Sequence, residues 1–237
     1  MVTLFAISMG YFESAIVVYI RQLIYPEGFA FPLKAMNYTL ARTELFREAF
    51  SLLMIISVAI LAAREAVKRF AAFLYIFAVW DIFYYVFLKL LLDWPASLLT
   101  PDVLFLLPVV WVGPVLAPVI NSLTMIILAW VILLARANRL PRVLGWAEWG
   151  LLVLGSVIVL VAYTQDYVSY LSGHIDGGLL ETYYSQDIFE LSSAYMPDAF
   201  AWLIFSVGVA MHLAAIGNVI RRIFRDKRRI QKMGGPG

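Results

Sequence analysis

Two carboxylates stand where carboxylates are least expected. Glu13 interrupts the apolar stretch FAISMGYFESAIVVYI, and Asp81 sits inside FAVWDIFYYVF. In a soluble core such an acid is costly unless it finds a partner. In a membrane span it is rarer still and marks a functional site by default. Three roles compete for the pair. The acids can be structural, hydrogen-bonded to Tyr or Asn and fixing how the helices meet. They can form a proton or cation site, with Asn121 adding a further oxygen of the kind that hard cations need. They can act as an acid–base pair in hydrolysis or lipid chemistry, although no nucleophile motif accompanies them.

Other polar residues lie close enough in pattern to join them. Thr124 follows Asn121 on the same apolar segment, and Glu44 and Glu48 are four apart with Arg47 between them. His212 stands in a further apolar run; it is read first as a helix-packing histidine and second as a single axial ligand for haem or a chlorophyll. The only other histidine, His174, lies in SGHIDGG, which reads as a solvated turn or an external cation loop. With two histidines and no cysteine, thiolate catalysis, disulfides, Fe–S clusters and bis-histidine haem within the membrane are excluded. There is no P-loop, no GxGxxG, no GxSxG and no Glu-x-x-His motif. A cofactor therefore cannot be named.

The elements that must position these residues are set by composition. The chain has 237 residues, 63% hydrophobic and 14% charged, with mean hydropathy +0.85. Soluble domains are about 45–50% apolar and about 25% charged, so too little polar surface exists to cover a soluble fold. Six apolar segments, about 2–24, 44–63, 69–92, 115–135, 145–163 and 198–220, approach the roughly 20 residues that cross a bilayer core. The expected fold is an all-α polytopic membrane bundle. The first segment lacks a basic leader and holds Glu13, so it is read as a retained span rather than a signal peptide. No internal repeat supports an inverted-repeat transporter.

Charge orients the bundle. REAVKR joins spans two and three, RANRLPR joins four and five, and RRIFRDKRRIQK follows span six. The connection 164–196 holds five acids and no Lys or Arg, and 93–114 holds two acids and no base. Lys and Arg mark the cytoplasmic side, so both termini are expected there, in a bacterial or archaeal cytoplasmic membrane. Residues 93–114 contain four prolines around the apolar piece 103–112, which is too short to span and reads as a re-entrant or interfacial segment. The tyrosines of 164–196 (Tyr167, Tyr170, Tyr183, Tyr184, Tyr195) suggest an ordered cap or contact surface.

Orientation also predicts depth. Glu13 and Asp81 lie near the middle of two parallel spans. Leu74, Phe77, Asp81, Tyr84 and Leu88 share one helical face, and Ala6, Gly10 and Ser14 form a small-residue stripe that lets helices approach closely. Glu13 borders that stripe and should face protein. The basic tail 221–237, with Arg221, Arg222, Arg225, Arg228 and Arg229, suits anionic lipid headgroups or a protein partner better than nucleic acid. The leading expectation is a non-catalytic subunit of a larger membrane assembly, binding the bilayer and other membrane subunits. A small proton-coupled transporter or cation channel using Glu13 and Asp81 comes next, and a membrane-embedded lipid-modifying enzyme third.

Overall fold

A computed structural model describes residues 1–34, 38–106, 109–137, 143–174 and 191–233, with side chains described as far as Arg225. Six long helices dominate: α1 Val2–Ile24, α2 Tyr38–Ala62, α3 Ala66–Leu92, α4 Leu116–Ala137, α5 Trp146–Ser172 and α6 Trp202–Met233. Each contains a stretch long and apolar enough to cross a membrane. The chain is a helical-bundle membrane protein. Large apolar side chains such as Leu4, Phe12, Leu61, Trp130 and Leu203 point outward, as lipid-facing helix surfaces require.

Three boundaries depart from the expected ones, each for a physical reason. α2 begins early, at Tyr38, in a polar first stretch that is satisfied locally: Arg42 lies over the Tyr38 ring and the Thr43 hydroxyl donates to the Thr39 carbonyl. α5 runs on to Ser172, and Tyr167 and Leu171 in this extension are fully buried. α6 continues unbroken through the basic segment to Met233, so the tail is helix over most of its length.

The segment expected to be re-entrant or interfacial forms a two-stranded antiparallel hairpin, β1 Pro101–Phe105 and β2 Trp111–Pro114. Pro101 pairs with Pro114, at the strand ends where a missing N–H does no harm. Prolines forbid a helix here, while Val103, Val110, Trp111 and Val112 favour strand. Gly113 lets β2 lie against α5: a Cβ there would sit 3.2 Å from Tyr163 ring carbons.

α3 is the hub, packing on α1, α2 and α4. The α1–α3 contact uses the predicted small-residue stripe. Ala6 and Ser14 are fully buried, and a Cβ on Gly10 would lie 2.9 Å from Phe83 Cβ. Ser14 donates to the Tyr84 carbonyl at 2.9 Å. α5 and α6 form the other close pair, crossing where Gly155 faces Gly208. α2 packs on α3 and on no other helix to a comparable extent. A space is left between the two halves of the bundle.

Candidate functional site

That space is a cavity of about 870 Å³. It is lined by the second half of α1, the first half of α2, α3, the hairpin, α4, α5 and one residue of α6. Most of the lining is apolar or aromatic. The predicted α3 face supplies Leu74, Phe77, Asp81 and Tyr84 to it, although Leu88 does not reach it. Glu13, Asn121 and His212 also line it. All four residues singled out for the bundle interior therefore face one space.

They do not form one cluster. Three polar groups occupy successive levels. The outermost joins α1 to the hairpin: Arg21 Nη2 lies 3.3 Å from Asp102 Oδ1, and the Tyr85 hydroxyl stands 3.4 Å from Asp102 Oδ2. The Arg21 guanidinium also lies 3.9 Å from the Trp94 ring centroid and 4.6 Å from that of Phe29, a stacking that suits its weakly hydrated plane. Burial pushes the Asp102 carboxyl up to about 6, and the opposing pull of Arg21 only partly offsets it.

The second group joins α1 to α2. Arg47 grips Glu44 with two bonds, Nη2–Oε1 at 2.5 Å and Nε–Oε2 at 2.9 Å, and donates Nη1 to Glu13 Oε2. One turn on, Glu48 accepts the Leu106 backbone N–H of the hairpin at 2.9 Å. Glu13 and Arg21 are eight residues apart, so these two levels differ by about 12 Å along α1.

The third group is centred on α3 and α4. Ser122 donates to Asp81 Oδ2 at 2.7 Å. Asn121 Nδ2 donates to the Tyr163 hydroxyl at 2.9 Å, and Trp111 stacks on Tyr163 with centroids 5.8 Å apart. Three buried polar atoms among these cavity-lining residues have no hydrogen-bond partner: Asn121 Oδ1, Trp80 Nε1 and Trp111 Nε1. Native interiors leave few such atoms, and each calls for an explanation in water, ion or ligand.

Glu13, Asp81 and Asn121 line one cavity but bond to different partners. Glu13 is held by Arg47, Asp81 by Ser122 rather than by Glu13, Asn121 or a tyrosine, and Asn121 by Tyr163. No three His or acidic side chains among the described residues converge on a metal-sized site. His212 packs against Gly155, and its Nε2 lies 3.2 Å from both Ser156 Oγ and the Leu152 carbonyl.

The remaining candidates sit at the surface. Arg222 is engaged within the protein. It binds Glu148 at 2.7 Å and the Val143 carbonyl, clasping α6 to the start of α5. Arg221 bonds Asn218 within its own helix, and Arg225 is exposed. Arg228 and Arg229 lie outside the described residues, as do Tyr183 and Tyr184. Tyr167, Tyr170 and Tyr195 pack together: Tyr195 lies edge-on to both rings, at 5.1 and 5.3 Å, and donates to Asp166 at 2.5 Å.

Sequence reading missed Arg21 and Asp102 and gave Arg47 no role. The signal was available only in part. Arg47 stands between two glutamates, but its bond to Glu13 spans 34 positions. Asp102 lies in a loop, where an acid attracts no notice. No protein-family model, curated protein or solved structure matches the chain.

Proposed function

We propose that this membrane protein binds an apolar, lipid-like molecule within its bundle, with the polar end of that molecule among the buried acids. One observation carries the reading: a cavity of about 870 Å³, mostly apolar, whose lining includes Glu13, Glu44, Glu48, Asp81 and Asp102. Ligand sites typically occupy about 300–1,000 Å³ and combine an apolar lining with a few fixed polar groups. Buried acids beside such a ligand suit acid–base chemistry on it, the lipid-modifying role. The subunit role draws on the absence of catalytic motifs and on the aromatic contact surface that the cluster of Tyr167, Tyr170 and Tyr195 would offer a partner.

Transport is the second reading, because carboxylates at three successive levels line the same cavity. Proton-driven flux by the protein alone in liposomes, lost in Asp81→Asn, would favour it.

The binding reading is tested by purification in mild detergent, organic extraction and mass spectrometry. A small apolar molecule is expected at about one per chain. Val17→Trp, which fills the cavity from α1, should fold and lose it. A wild-type protein that yields only bulk lipid, in the same amount as Val17→Trp, contradicts the proposal. We place both termini on the cytoplasmic side by the distribution of arginine. The chain has no native cysteine, so a cysteine at exposed Ser169 should react with an impermeant reagent from outside intact cells.

A further inference from the structure

We propose that the cavity's occupant is a lipophilic organic cation, seated with its positive charge against Asp81. The inference rests on the cavity-binding reading above and names the class of ligand.

The first argument is charge balance. Five carboxylates line the cavity, and the inward-facing Lys or Arg side chains of its lining are Arg21, buried, and Arg47, partly buried. Arg47 serves Glu13 and Glu44 together, and Arg21 serves Asp102. The other two bases, Lys34 and Arg42, lie exposed at the rim, over the rings of Tyr25 and Tyr38 at 5.5 and 5.8 Å. Neither makes an ion pair with Asp81. Glu48 has no ion pair either, but it accepts the Leu106 backbone N–H and feels the charge of neighbouring Arg47. Asp81 accepts one hydroxyl, from Ser122, and meets no cation among the described residues. In a low-dielectric interior an uncompensated carboxylate attracts positive charge far more strongly than in water.

The second argument is the immediate surroundings. Asn121, adjacent in sequence to Ser122, keeps a buried oxygen with no donor. Trp111 stacked on Tyr163, with Trp80 and Phe77 edge to face at 5.1 Å, brings aromatic rings to the same part of the lining. Aromatic faces attract cations and recognise alkylammonium groups in particular. A carboxylate, an unpaired acceptor and π-faces select for a positively charged head. The apolar remainder of the cavity accepts its tail.

The test uses the full-length protein in nanodiscs and three probes of equal chain length: dodecyltrimethylammonium, dodecanol and dodecanoate. Saturable binding is measured after subtracting partition into protein-free discs. The ammonium probe is expected to bind at least about tenfold tighter than the alcohol, with the carboxylate weakest. Asp81→Asn should bring that ratio to about one, and Ser122→Ala, which keeps the carboxylate, should preserve it. Equal affinity of the ammonium and the alcohol for the wild type overturns the inference and leaves cavity binding intact; this comparison does not depend on any variant folding. Saturable binding of none of the three overturns the cavity-binding reading as well.

Discussion

The two sides of the bundle solve opposite problems. Where α5 crosses α6, a Cβ on Gly208 would lie 2.7 Å from the Gly155 carbonyl and 2.7 Å from Val159 Cγ2. The helices touch backbone to backbone and leave no space. Where α1 and α2 face each other, the contact is a charged one, Glu13–Arg47–Glu44, and a cavity lies beside it. Small residues close one side, and long paired side chains hold the other apart. Van der Waals packing of small residues is the ordinary source of helix association in lipid. A buried ion network is not, since its desolvation offsets much of its attraction. Its presence on the cavity side argues for a role in shaping that space.

The comparison can be broken most severely at Arg47. Arg47→Met leaves Glu13 and Glu44 facing each other without a cation. Removing one member of a buried ionic group costs about 3–5 kcal/mol, so a large fall in thermal stability in detergent is expected, partly restored by adding Glu13→Gln. A fall no greater than that of a surface Arg→Met change would show the network to be incidental.

On the close-packed side, Gly208→Val should cost about 1–3 kcal/mol by overpacking. It should also disturb His212, which rests against Gly155 in the same crossing. The cavity should survive in this variant and be altered in Arg47→Met, so ligand retention per folded molecule separates the two regions.

A smaller effect follows from Asp102. Its folded-state value, about 6, lies above the ordinary 3.8 because burial outweighs Arg21. A carboxyl raised in this way contributes stability that is fully present below about pH 4 and lost as pH rises through about 6. The hairpin should therefore be held more firmly near pH 5 than near pH 7.5. The opening equilibrium of residues 101–105, read by hydrogen exchange corrected for intrinsic rate, should shift by at most about tenfold per pH unit. Asp102→Asn should flatten that dependence.

The least effect on stability is expected at Asp81. Asn keeps the shape and the bond to Ser122, and it removes a carboxylate that meets no cation among the described residues. Thermal stability should change by less than about 1 kcal/mol, in contrast with Arg47→Met. A collapse of Asp81→Asn comparable to that of Arg47→Met would place Asp81 in the structural framework instead.

How much of this was legible in the sequence depended on whether the signal was local. Hydropathy located all six helices, and the spacing of Ala6, Gly10 and Ser14 located the α1–α3 contact. The interior position of Glu13 and Asp81 followed from period and depth. Helix ends failed where polar residues extend a helix beyond its apolar stretch, as in the first turn of α2, because hydropathy marks the apolar stretch and not Thr39, Arg42 and Thr43 before it. The strands of the hairpin were not foreseen because a proline-rich apolar piece has no periodicity long enough to separate strand from irregular backbone. Partners were the least legible. Ser122, which holds Asp81, and Asp102, which holds Arg21, are 41 and 81 positions from the groups they meet, and a serine in an apolar helix carries no mark of its role.

The central claim is that the polar groups surround an occupied space. An experimental structure of the protein in lipid tests this most directly. Elongated density is predicted between Val17, Leu160 and Asn121, with one end against Asp81. A bundle in which α2 closes onto α1 and α5, leaving no room between these residues, would contradict it.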